Sequence, residues 1–297
     1  MIRTSALAAS LLVAGTPAAN GAVVFDFDFS DPSNATFFST ATAEGQARRD
    51  TLTETGDYLA GLLSAYTATV SFEVTTFSNG SSTLARGGQT YSFSTSAEGP
   101  IRGQVEREIL GGEAISGNTA SIEWNRNQDF YTGADPTGIS SGESDFRSVA
   151  LHEFTHALGW LSLIDGEDGS GVFASNDRIY GIYDASLRDA DGNPLIDASG
   201  NYVGTASDLE GPVFFAAADG TSHRTAVTGD DFDAAHLEPG IDSLMNPAIF
   251  SGTTERVYTD ADLAILATIG YTAIPEPAAA AALAVAGLLV LRRRHAA

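Results

Sequence analysis

Residues 152–160 read His-Glu-Phe-Thr-His-Ala-Leu-Gly-Trp. On a helix, His152 and His156 lie one turn apart and share a face. Two neutral imidazoles placed this way can bind one zinc ion. Glu153 follows the first of them, where its carboxylate can reach a water on such a metal. Zinc lowers the pKa of that water toward neutrality, and Glu153 can take its proton. The five-residue pattern is short, and a helix can carry two His and a Glu without any chemistry. Its surroundings therefore carry the argument.

Gly159 breaks the helical pattern three residues after His156. Further on, residues 235–247 read Ala-His-Leu-Glu-Pro-Gly-Ile-Asp-Ser-Leu-Met-Asn-Pro, joining His236 to a Met-x-Pro turn at Met245. The sequence holds two Met, and the other is Met1. This combination resembles the metzincin metalloproteases, in which a Gly at this point lets the chain turn sharply and a Met-turn lies beneath the zinc. Their usual third ligand falls three residues after the Gly. Here that position is Ser162, a poor zinc ligand. In the leishmanolysin-like branch a long insertion intervenes and the third His precedes a Leu-Met-x-Pro turn. The resemblance implies His236, nine residues before Met245, as that third ligand. The closing stretch Leu263…Ile269-Gly270-Tyr271 is similar too, and the resemblance covers about a fifth of the chain.

Two other third ligands stay open. Asp165 can supply an oxygen, or orient a ligating imidazole from behind. His223 lies in a Ser/Thr-rich stretch, and an imidazole suits zinc's softness. The resemblance also implies that Met245 forms an apolar floor. Some metzincins use a Tyr after the Met-turn to stabilise the oxyanion. Tyr258, 13 residues past Met245, is the candidate, with a packed structural Tyr as the alternative. Pro247, Ile249 and Phe250 are placed to wall the pocket for the residue after the cleaved bond.

The elements that must hold these groups follow from periodicity. Residues 23–29 (VVFDFDF) alternate apolar and acidic, as in a half-buried strand. Residues 43–66 place Leu52, Leu59, Leu62 and Leu63 at helical spacing. A strand is expected over 68–76, a Ser/Gly-rich loop over 78–88, and a strand over 121–125. The active-site helix is expected over 144–158, with Ser144 or Asp145 as its cap, and a last helix over 259–269. Asp189-Ala190-Asp191-Gly192-Asn193 is echoed eight residues on by Asp197-Ala198-Ser199-Gly200-Asn201. These read as turns of short hairpins. Calcium is the alternative, although Gly stands fourth rather than in the sixth place an EF-hand loop requires. Periodicity supports mixed α and β. The resemblance implies an α+β, two-subdomain zinc protease, with a twisted mixed sheet and the active-site helix above a lower part carrying His236, the Met-turn and the last helix.

Composition narrows the classes. The 297 residues carry 38 acids against 15 bases, every base an Arg, for a net charge of −23, and there is no Cys. That excludes disulfides, thiolate metal sites and a Cys nucleophile. It also offers no cationic footprint for nucleic acid. A hydrophobic fraction of 43% is enough for a sizeable core. No Gly-rich phosphate loop or Gly-x-Ser-x-Gly elbow occurs. Asp230, Asp231 and Asp233 form an acidic group whose separation, the quantity that decides glycosidase chemistry, the sequence does not give.

Both ends read as sorting segments. Residues 1–22 run from Arg3 through the apolar stretch 6–14 to small residues, the order of a secretory signal peptide. Residues 275–297 begin Pro275-Glu276-Pro277, continue with 14 apolar residues over 278–291, and end in Arg292, Arg293 and Arg294. This resembles the PEP-CTERM signal of Gram-negative bacteria. It implies export, a transient membrane anchor and handling by an exosortase-type enzyme, with a plain anchor as the alternative. Without these ends, residues 23–274 hold 37 acids and 11 Arg, near −26. The expectation is a catalytic domain over 23–274, sorted to the cell surface or secreted, that hydrolyses peptide bonds with zinc. The competing class is a non-catalytic extracellular matrix or surface protein with a vestigial or structural metal site.

Overall fold

The computed structural model describes residues 22–271 apart from 229 and 230, with the backbone alone at 206, 227, 228 and 231–233. The expected signal peptide, except for Ala22, and the C-terminal sorting segment lie outside the described residues, as does Asp230. Among the described residues, no helix is long and apolar enough to cross a membrane.

The chain is α+β. The first part runs β1 (Val23–Asp28), α1 (Asn34–Phe37), α2 (Ala43–Leu62), β2 (Ala68–Phe77), β3 (Ala85–Gln89), β4 (Gly99–Ile101), α3 (Gln104–Gly111) and β5 (Ala120–Asn125). The short strands β6 (Phe130–Tyr131) and β7 (Ser144–Asp145) precede α4 (Phe146–Ala157). The second part holds β8 (Ile179–Gly181), β9 (Leu187–Arg188), α5 (Ala206–Glu210), β10 (Phe214–Ala216), β11 (Ser222–Thr228), β12 (Asp231–Leu237) and α6 (Asp260–Ile269).

The main sheet has the order β1-β2-β5-β3. β1 and β5 both run parallel to β2, while β3 pairs antiparallel with β5 and forms an edge. The expected loop over 78–88 is therefore corrected, because β3 starts at Ala85. Arg86-Gly87-Gly88 has little strand propensity of its own, and pairing with β5 together with packing under α4 imposes the extended form. The part that carries His236 contains a second, antiparallel sheet, β12-β11-β10-β9.

α4 is buried on almost every side, its polar Ser148, His152, Glu153, Thr155 and His156 included. At its start Phe146 stacks on Trp124 at 3.9 Å. Midway, Phe154 sits among Phe72, Phe27 and Phe25 at 5.0, 5.7 and 6.0 Å. Asp145 caps it by accepting from the Ser148 N–H at 3.0 Å. The helix starts at Phe146 rather than 144, since Ser144 and Asp145 pair with β6. Asp145 also holds Arg256 through two bonds of 2.9 and 2.6 Å, which ties the chain after the Met-turn to the start of α4.

Candidate metal centre

α4 presents His152, Glu153 and His156 toward one cleft, each 6% exposed. At its end Gly159 takes φ +103°, and a Cβ there would stand 2.7 Å from the Glu106 carboxyl carbon. Only Gly satisfies both demands. Past this bend the Trp160 carbonyl accepts from His156 Nδ1–H at 2.8 Å.

His236 arrives from the second sheet. The β11–β12 register jumps from Thr225↔Leu237 to Ala226↔Asp233, so Ala234, Ala235 and His236 form a bulge. A bulge breaks the alternation of a strand and re-aims a side chain. Tyr183 fixes this one by donating to the Ala234 carbonyl at 2.6 Å, and the Leu237 N–H donates to the Met245 carbonyl at 2.8 Å.

The three rings meet at their Nε2 atoms, 3.1 Å apart for His152–His236, 3.2 Å for His152–His156 and 3.3 Å for His156–His236. No other group of three or more metal-ligating side chains occurs among the described residues. A tetrahedron with edges of this size has its centre about 2 Å from each vertex, the length of a zinc–imidazole bond. The protonation pattern fits as well. His152 Nδ1–H donates to the Leu244 carbonyl at 2.9 Å. Carbonyls accept only, so Nδ1 of His152 and of His156 carries a proton, and a ring neutral in that tautomer turns its Nε2 lone pair into the triangle. Burial, reinforced by His156 and His236, holds the pKa of His152 well below its usual value and keeps that ring neutral. Lone pairs facing each other at 3.2 Å repel unless a cation lies between them. The donor set and its second contacts thus fit zinc.

Behind His152, the Leu244 N–H donates to Asp262 at 3.0 Å and the Met245 N–H to Ser243 Oγ at 2.9 Å. Ser243 donates in turn to Asp262. Asp262 also closes the capping box of α6 with Thr259. Met245 is fully buried.

Glu153 shares the cleft with the three His. Burial pushes its carboxyl up to about 8, and the Gly87 N–H opposes that rise. The cleft measures about 660 Å³. One side is Ser82–Gly87, ending in β3, and the other is Asn246–Ser251, so Pro247, Ile249 and Phe250 do line it.

Two candidates stand elsewhere. The Asp165 carboxylate accepts from the Glu167 N–H at 2.8 Å and is not in the ligand group, and backbone carbonyls orient His152 and His156 instead. His223 pairs with Thr221 at 2.9 Å, also outside the group. Tyr258 is buried, with its hydroxyl 2.8 Å from Thr155 Oγ1, and does not line the cleft. Ser162, at the short-pattern position, donates to Asp184 at 2.7 Å. The repeated Asp-rich segments close as turns, with Asp189 and Asp197 each accepting N–H groups of their own loops.

Sequence reasoning did not single out Leu244 or Trp160, whose backbone carbonyls orient the rings, nor Asp262 and Gly87. Asp262 had a readable signal, lying three residues after Thr259 in a capping box. No protein-family model matches the chain, and its sequence matches no curated protein.

Proposed function

We propose that this chain is a zinc-dependent metalloendopeptidase of metzincin-like arrangement, exported and sorted to the cell surface or secreted. The observation that carries the reading is the triangle of three Nε2 atoms beside a buried glutamate in an open cleft. His152, His156 and His236 would hold the ion. When bound, zinc supplies Lewis acidity, polarising a peptide carbonyl and drawing the pKa of water toward neutrality. Glu153 takes the proton of the attacking water and delivers it to the leaving amine. The walls at Leu84–Gly87 and Asn246–Ser251 confine an extended segment between them. The terminal segments support export and exosortase-type handling by their sequence order alone.

Glu153→Ala tests the reading. We expect about one zinc per chain to persist in this variant while peptide cleavage falls at least about 100-fold. Full activity in Glu153→Ala removes the assignment. A wild-type chain that takes up no zinc favours the matrix protein.

A further inference from the structure

β3 is the edge strand beside the cleft, and its Ala85 and Gly87 lie on the face toward α4. The approach is closest at Gly87. A Cβ there would stand 2.5 Å from the Glu153 carbonyl oxygen and 2.7 Å from Glu153 Cβ. The next residue, Gly88, has nothing within 4 Å of where its Cβ would be. The two adjacent glycines thus differ: one is required by contact with α4 and the other is not. Gly87 and Glu153 both line the cleft, and the Gly87 N–H lies near enough to the Glu153 carboxylate to oppose the rise that burial imposes on it.

We propose that Gly87 is a positioning residue for Glu153: its missing side chain lets β3 lie against α4, and its backbone N–H aims the carboxylate into the cleft beside the histidine triangle. A carboxylate on a two-carbon arm has rotamers that leave the reacting centre, and a fixed donor on the opposite wall selects among them. Relieving a 2.5 Å contact to the 3.4 Å of ordinary packing opens strand and helix by about 1 Å. A displacement of that size at a catalytic group costs about 100-fold in rate.

The kinetic consequence rests on the peptidase reading, whereas the contact itself does not, so the experiment has two arms. In the first, amide hydrogen exchange is followed by NMR in the purified protein. The Gly87 amide is expected to be protected despite its place on an edge strand, and Glu153→Ala should speed its exchange at least about tenfold while the Ile122 amide of β5 keeps its rate. A Gly87 amide that exchanges freely in the wild type, or equally slowly in Glu153→Ala, overturns the proposal. In the second arm, Gly87→Ala should lower kcat about 100-fold with zinc content and KM unchanged, and Gly88→Ala should match the wild type. Unchanged kcat in Gly87→Ala, or an equal loss in Gly88→Ala, also overturns it. If Gly87→Ala does not fold, the exchange arm decides alone. A wild type without zinc or cleavage counts against the peptidase reading and leaves the exchange arm to judge the contact.

Discussion

Replacing Asp262 with Ala should damage two properties at once. The carboxylate is fully buried and receives the Leu244 N–H at 3.0 Å, the Thr259 N–H at 2.9 Å, and the hydroxyls of Thr259 and Ser243. Losing a helix cap by itself costs about 1 kcal/mol. The Leu244 and Ser243 donors, left buried without their acceptor, add about 1–3 kcal/mol each. Burial also holds the Asp262 pKa above its usual value, so removing the carboxylate recovers part of a desolvation cost. The net loss should be about 3–5 kcal/mol by urea unfolding. Leu244 carries the carbonyl that orients His152, so zinc affinity, measured by competition with a chromophoric chelator, should also fall about 10–100-fold. A loss near 1 kcal/mol with unchanged zinc affinity would mean that Asp262 only caps α6, and the proposed link from helix to turn to ligand would be refuted.

Three other outcomes are expected. Gly159→Ala meets both a φ of +103° and the Glu106 carboxyl, whereas Gly240→Ala meets a φ of +104° and open space. The first should cost at least about 2 kcal/mol more than the second in thermal or urea unfolding, and equal costs would deny the contact with Glu106. Burial lifts the Asp184 carboxyl to about 6, so this group's contribution is fully present below about pH 4 and is lost as pH rises through 6, by about 3 kcal/mol. Unfolding free energies between about pH 4 and 7 should show this slope in the wild type and a flatter one in Asp184→Asn. Tyr258→Phe should lose about 1 kcal/mol of stability through Thr155 while keeping peptidase kcat, and a large fall in kcat would restore an oxyanion role for that hydroxyl.

The elements around the candidate site were legible where a local signal coincides with its tertiary use. The spacing of His152 and His156 states a helix face, Asp145 states a cap, and residues 259–270 carry both helix signals. β3 was not legible, because nothing in Arg86-Gly87-Gly88 favours a strand until β5 and α4 are in place. α3 also escaped notice, being eight residues long, although Glu106 three after Gly103 and a left-handed Gly112 mark its ends. His236 could be reached from sequence only through the Met-turn beside it. Its direction depends on a bulge set by β11 and Tyr183, and such a register shift has no one-dimensional signature. The ring-orienting partners are backbone carbonyls, which every residue owns, so no residue type points to them.

The distance along the chain between the joined imidazoles has a thermodynamic side. His152 and His236 lie 84 residues apart in sequence. An ion held by both ties that whole segment into a loop. By the same chain-entropy relation that applies to disulfides, closing a loop of this length removes about 4–5 kcal/mol of unfolded-state entropy. The chain contains no Cys with which to close it covalently. If it holds an ion as proposed, the histidine triangle would provide a cross-link made and released by metal supply and indifferent to redox potential.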